Sequence, residues 1–170
     1  HQITVLGLSC LAVISLFIVE IINSKKEPLH NIANTILGIL FVPTLLGTII
    51  HLRQLDHIYY SNITMILFIS VWLCDTAAFI FGTKFGKKKI LPNISPKKSW
   101  VGSISGFIAS VLTFFIAFKL DYLGGNYSLN DSLVFGFISG VFGQFGDFGE
   151  SLLKRDVGVK DSGDILRGHG

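Results

Sequence analysis

Charge is what this sequence has least of. Of its 170 residues only 15% are Asp, Glu, Lys or Arg, whereas a water-soluble domain carries about a quarter, so the polar coat of a protein dissolved in water is missing. The surplus of 14 basic over 11 acidic side chains, +3 in all, is too small to mark a nucleic-acid binder. Cysteine is scarce as well, with two residues, which excludes a disulfide scaffold. Cys10 and Cys74 both fall inside apolar runs and read as buried thiols that pack as small hydrophobes; they report no redox compartment. Four prolines and 15 phenylalanines rule out a collagen-like chain and a disordered one. Half of the sequence is apolar and the mean hydropathy is +0.61, the composition of a protein that lives in lipid.

A bilayer core about 30 Å thick is crossed by about 20 mostly apolar helical residues. Five stretches approach that length, 3–22, 32–50, 63–81, 101–118 and 133–149, and predict an all-α integral membrane protein, a bundle of about five transmembrane helices. The first stretch lacks the basic start and small-residue cleavage site of a signal peptide and is expected to be retained. The chain opens on His1 rather than Met, and an internal piece of a longer protein is the expectation. With no repeat or linker in view, residues 1–170 are read as one membrane domain.

The few charges are unevenly placed. Segments 23–31, 82–100 and 150–170 hold two, six and four basic residues, twelve of the 14, and the other two are Arg53 and Lys119. Because cytoplasmic loops retain Lys and Arg, these three segments are expected inside and the N-terminus outside.

Several side chains exceed what a structural bundle needs. Asp75 lies within the third apolar run, where a carboxylate costs roughly 2.5 kcal/mol or more, so it needs a partner, water or a cavity. Glu20, near Lys25 at the end of the first run, reads as interfacial and without function. Gly136, Gly140, Gly143, Gly146 and Gly149 recur every three or four residues, a stripe along which another backbone can approach. Asp147, Glu150, Ser151 and Lys154 follow at helical spacing and share one face. Between the third and fourth runs, Gly82, Gly86, Lys84 and Lys87–Lys89 precede Ser95-Pro96-Lys97-Lys98-Ser99-Trp100. Such a loop can form a backbone nest for phosphate; six lysines beside a membrane can also attract anionic lipid. It is not a Walker A loop, because the glycines are one residue too close. The tail after Lys154 mixes acids suited to a hard cation with bases suited to phosphate, and a merely solvated tail is the alternative. Lysines for phosphates and carboxylates for Mg²⁺, gathered at one membrane face, are the equipment of phosphoryl or nucleotidyl transfer to a lipid.

These residues together resemble the phosphatidate cytidylyltransferases, also called CDP-diacylglycerol synthases. Ser151, Lys154, Arg155, Lys160, Asp161 and His169-Gly170 stand in the spacing of that family's tail signature. Asp75-Thr76, Ala78-Phe79, the Gly-Lys loop and Ser95–Trp100 resemble its upstream motif. The likeness covers roughly residues 75–170; Val101 departs from the family's usual acid and Arg167 from its usual small residue or Pro, and the second glycine and the Asp-Arg-x-Asp of the signature would lie beyond Gly170.

The resemblance implies transfer of the cytidylyl group of CTP to phosphatidic acid, giving CDP-diacylglycerol and pyrophosphate in phospholipid biosynthesis. It implies Asp147 as the main metal ligand, assisted by Asp161 and Glu150, with Mg²⁺ alone or beside a second cation. Lys97, Lys98, Lys154, Arg155 and Lys160 would bind phosphates; Ser95, Ser99, Ser151 and His169 would line the substrate site; Asp75 would orient a lysine or metal from the membrane side. The partners implied are CTP, phosphatidic acid and membrane lipids, not nucleic acid, with a homodimer compatible. The implied location is a bacterial inner membrane with the catalytic loops in the cytoplasm. Activity is expected of the longer parent rather than of these 170 residues. A CTP-dependent polyprenol or phytol kinase, or a small cation transporter using Asp75 and Asp147, are the alternatives.

Overall fold

The computed structural model describes residues 2–23, 27–59 and 61–159. They form five helices: α1 Gln2–Asn23, α2 Pro28–Tyr59, α3 Ile63–Phe85, α4 Trp100–Lys119 and α5 Leu129–Asp156. The all-helical class expected from the apolar runs is the class observed. Three helices are long and apolar enough to cross a bilayer, Pro28–Ile58, Ile63–Phe85 and Trp100–Lys119, and the described part of α1 contributes a shorter apolar stretch, Leu11–Ile22. The run 133–149, expected to be a span, lies within α5, which does not reach that apolar composition because glycines and polar side chains dilute it.

Two boundaries move from their expected places. The loop expected after residue 50 is largely helix, because α2 continues through Pro43 and on to Tyr59. Polar residues such as His51, Arg53 and Gln54 end an apolar run without ending a helix. In the same way α5 runs on to Asp156, so Arg155 joins Lys154, already expected on the helix by its spacing, in the last turn, where cations suit the carbonyl end of the helix dipole.

The chain divides into two compact units, residues 1–51 and 52–170. Within the first, Glu20 accepts a hydrogen bond from Asn31 Nδ2 at 2.7 Å, and Lys25, its expected neighbour, lies outside the described residues. Within the second, the end of α2 caps α3. Asp56 is buried and accepts from the Ser61 hydroxyl at 2.8 Å and from the backbone N–H groups of Ile63 and Thr64 at 2.9 and 3.2 Å. Arg53 pairs at 3.3 Å with the carboxylate oxygen that also accepts from Thr64. The first-turn N–H groups of α3, which no helical carbonyl can reach, are satisfied in this way; Asn62, at the cap position itself, makes no side-chain cap bond.

Helices α3, α4 and α5 pack through small residues. A Cβ added to Gly106 would lie 2.7 Å from the Cys74 carbonyl oxygen, and one added to Gly136 would lie 2.7 Å from Val111 Cα. Buried hydroxyls lock the contact: Ser70 shares hydrogen bonds with Ser110 at 2.7 Å and with Ser139 at 3.0 Å, and Ser110 donates to the Gly136 carbonyl at 3.0 Å. Close backbones and satisfied hydroxyls are how helices associate where lipid removes the hydrophobic drive. An apolar cluster of Ile63, Ile66, Phe114, Ala117 and Leu123 closes the end away from the lysine loop. Large apolar side chains such as Trp72, Phe79, Ile108 and Phe142 face outward, as a surface in contact with acyl chains does.

Candidate active site

At the other end of these helices a cavity of about 520 Å³ opens between α3, the 86–99 loop, α4 and α5. Its wall is cut away by small residues, Ala78 and Gly82 on α3 and Gly102 and Ser103 on α4. The loop folds back as a tight hairpin: Ile90 N–H donates to the Lys98 carbonyl and Trp100 N–H to that of Lys88, at 3.2 and 3.1 Å. Ser99 ends it. Its buried hydroxyl accepts from Gly102 N–H at 3.3 Å and caps α4. Gly82 and Gly86 press on it from the α3 side, and a Cβ at Gly86 would collide with the Ser99 hydroxyl and the Gly82 carbonyl. The glycines of this loop are therefore there for space around Ser99, and the clasp sets the direction of the neighbouring Lys98.

Lys98 reaches across the cavity to Asp147 on α5, forming an ion pair. Its Nζ lies 4.0 Å from the centroid of the Phe148 ring, close enough for a cation–π contact. The nitrogen is withdrawn from solvent, and the Asp147 carboxylate is its charged partner. The carboxylate is more open, with 47% of its side chain exposed against 24% for Lys98, so a ligand can reach Asp147 without the pair being dismantled first. Asp75 and Lys97 line the same cavity, and Asp147 and Lys98 are the charges that act on Asp75.

Of the residues singled out in the sequence, the structure brings Asp75, Lys97, Lys98, Ser99 and Asp147 to this cavity. Ser95, Glu150, Ser151 and Lys154 are not among its lining residues. Glu150, expected to assist the metal, accepts from Lys154 at 2.8 Å, the helical i,i+4 pairing that their spacing favours. Arg155 turns back to the loop, its Nε 3.5 Å from the Ile94 carbonyl. Lys160, Asp161 and His169 lie outside the described residues. Among the described residues no three His, Cys, Asp or Glu side chains converge as a ready metal cage. Two carboxylates facing one cavity still suit Mg²⁺, which takes one or two protein carboxylates and completes its shell with water and substrate phosphates.

Gln144 was not legible as a site residue, yet it lines the cavity. Its amide donates to the Ser103 and Gly140 carbonyls, both at 3.0 Å. The available signal was its spacing, three residues before Asp147 on the same helix.

Bilayer-length helices around a cavity that joins lysines to carboxylates define a class: helical proteins of the membrane equipped for anionic, phosphate-bearing ligands. The comparisons with known proteins are more specific. A family model described as the cytidylyltransferase family matches residues 2–170, and the chain belongs to that family. It is 37% identical to the phosphatidate cytidylyltransferase of Haemophilus influenzae, over 81% of this chain and 51% of that protein. It is 46% identical to that of Staphylococcus haemolyticus, over 61% and 39%. It is 44% identical to the chloroplastic phosphatidate cytidylyltransferase 4 of Arabidopsis thaliana, over 63% and 27%. The chain thus spans between about a quarter and about half of the length of these relatives.

Proposed function

We propose that the protein to which this chain belongs is a phosphatidate cytidylyltransferase and that this chain carries the phosphate-handling part of its site. One observation carries the reading: Lys98 and Asp147, from two different elements, meet in a cavity that also holds Asp75 and Lys97. A phosphate oxygen of phosphatidic acid attacks the α-phosphorus of CTP, the bond from that phosphorus to the bridging oxygen of the β-phosphate breaks, and pyrophosphate leaves with the electron pair. The attacking phosphate is already an anion near neutrality, so no strong base is needed. The barrier is repulsion between two anions, and positioned cations lower it. Lys98 holds a phosphate oxygen at the cavity wall, Lys97 a second one at the rim, and Lys154, Arg155 and Lys160 serve the outer phosphates. Asp147, helped by Asp161 and by Glu150 once it releases Lys154, would hold Mg²⁺, alone or with a second cation, which neutralises phosphate charge when bound. Ser95, Ser99, Ser151 and His169 complete the substrate surroundings, Ser99 through the clasp that aims Lys98.

The reading extends to the membrane. All five helices cross it, the lysine hairpin faces the cytoplasm where CTP is, and in bacteria the membrane is the cell membrane. A homodimer is compatible. The test is to incubate the full-length protein in detergent with phosphatidic acid, Mg²⁺ and CTP labelled at the α-phosphate. A labelled lipid is expected. In a parallel incubation with a polyprenol in place of phosphatidic acid, label that reaches the lipid only from the γ-phosphate of CTP would mark a kinase, and no lipid label in either incubation would overturn lipid phosphate chemistry altogether.

A further inference from the structure

Gln144 occupies a singular position in the second unit. Its side-chain nitrogen contacts all three helices that form the cavity: the Gly140 carbonyl on α5, the Ser103 carbonyl on α4, and Cys74 Sγ on α3 at 3.7 Å. Each contact lies close in sequence to a charged side chain of the site. Cys74 precedes Asp75, Ser103 lies in the first turn of the helix that Ser99 caps beside Lys98, and Gln144 is three residues before Asp147.

An amide nitrogen has two hydrogens. Both are committed here to backbone carbonyls, and the thiol takes a weaker share. Rotating the amide by half a turn would set its oxygen against two carbonyl oxygens, so the orientation is fixed by chemistry. An uncharged side chain of this kind is costly in an apolar setting unless its hydrogen bonds are made; the Gly140 bond is made within α5, whereas the Ser103 bond and the Cys74 contact can be made only when α4 and α3 stand at the observed spacing from it.

We infer that Gln144 is a positioning residue: its locked amide sets the spacing at which Asp75, Lys98 and Asp147 face one another across the cavity. This rests on the cytidylyl-transfer reading only for its activity readout. Displacements of about 1 Å in a reacting constellation can cost about 100-fold in rate, so a side chain that fixes the register of three helices has leverage on catalysis without touching substrate.

The experiment uses the full-length protein in two variants and two measurements. Gln144→Met keeps the volume and removes the donors. Gln144→Glu keeps the shape, but when ionised it sets a carboxylate against two carbonyls, and when protonated it regains one O–H donor. Expected for Gln144→Met is a fall in kcat of about tenfold or more with a smaller change in KM for CTP, as misplacement in the reacting geometry gives. Expected for Gln144→Glu is partial recovery as the pH is lowered, relative to the wild-type profile. A residue that merely fills space would be replaced well by Met and would show no such pH rescue. The second measurement is the rate at which Cys74 reacts with a small maleimide, with other thiols removed; both variants should label faster at neutral pH because α3 and α5 are no longer tied. Wild-type kcat in Gln144→Met, or unchanged Cys74 labelling in both variants, overturns the inference. If the wild-type protein transfers no cytidylyl group at all, the functional reading fails, and faster Cys74 labelling in the variants still establishes the positioning role.

Discussion

Asp147 and Lys98 neutralise one another across the cavity, and each is also the group that an incoming ligand of opposite sign would need. An Asp147→Asn change keeps shape and hydrogen-bonding capacity but removes the charge a hard cation requires. In the full-length protein, Mg²⁺-dependent transfer should be abolished or its Mg²⁺ requirement should rise strongly, as measured by a metal titration. Glu20→Gln, which still offers Asn31 an acceptor in place of the present 2.7 Å bond, should leave the titration unchanged. Near-normal activity of Asp147→Asn at low Mg²⁺, with loss in Asp161→Asn, would assign the metal to the tail instead. Lys98→Ala should weaken the use of CTP more than Lys97→Ala, because the Lys98 ammonium is withdrawn from solvent and a charged hydrogen bond is worth about 1.5–3 kcal/mol; kcat/KM for CTP is the measurement, and the reverse order would place the phosphate at the rim. At this scale the sequence disclosed the charged groups, since an acid inside an apolar run and lysines around a proline are costly or conspicuous. It did not disclose Gln144, because nothing in a linear pattern says that a neutral amide will find carbonyls on two helices and a thiol on a third.

Helices were legible for the same reason that charges were, as long apolar runs, and their ends were not. The run in α2 stops near residue 50 while the helix goes on to Tyr59, because its last turns hold Arg53 and Asp56 for capping α3, a tertiary use that hydropathy cannot foresee. The glycine stripe of α5 was legible as a close-packing surface, but it divides in two. Gly136 and Gly140 press against Val111, Ser110 and Phe107 of α4, whereas a Cβ at Gly146 or Gly149 would meet nothing within 4 Å among the described residues. The two halves should respond oppositely to alanine. Gly136→Ala should cost about 1–3 kcal/mol of stability by overpacking, seen as a lower midpoint of thermal unfolding in detergent. Gly146→Ala should be neutral or gain up to about 1 kcal/mol from helix propensity; lost activity at unchanged stability would show that a ligand needs the gap beside Asp147. The start of α5 has a pH signature of its own. Ser128 and Asp131 form a reciprocal cap, and the Ser128 backbone N–H and hydroxyl hold the Asp131 carboxyl below its ordinary value of 3.8. A carboxylate stabilised in the folded form contributes fully above that ordinary value, and its contribution is lost as the pH falls through the depressed one. Amide-exchange protection in the first turn of α5, corrected for intrinsic rates, should therefore persist at pH 5 and fade below about pH 4, and Asp131→Asn should remove the pH dependence.

Across the second unit as a whole, α4 separates two links of opposite character. The link before it, residues 86–99, holds Lys87, Lys88, Lys89, Lys97 and Lys98, and the link after it, residues 120–128, holds Asp121 and no basic residue. The helix between them has 20 residues, about 30 Å at 1.5 Å per residue, the thickness of a bilayer core. The cavity lies at the lysine end and the apolar Phe114–Leu123 cluster at the other, so polarity, charge and chemistry all sort along one axis. Under the proposed function, the orientation that keeps positive residues in the cytoplasm is also the one that puts the cavity on the side that supplies nucleotides. Cysteines introduced at Lys88 and at Asn126, one on each link, should react with a membrane-impermeant maleimide from opposite sides, Lys88→Cys only after the cytoplasmic face is opened and Asn126→Cys in intact cells. Labelling of both from the outside would defeat the spanning of α4, and the reversed pattern would keep the span but place the cavity away from CTP, an arrangement in which the proposed transfer could not work.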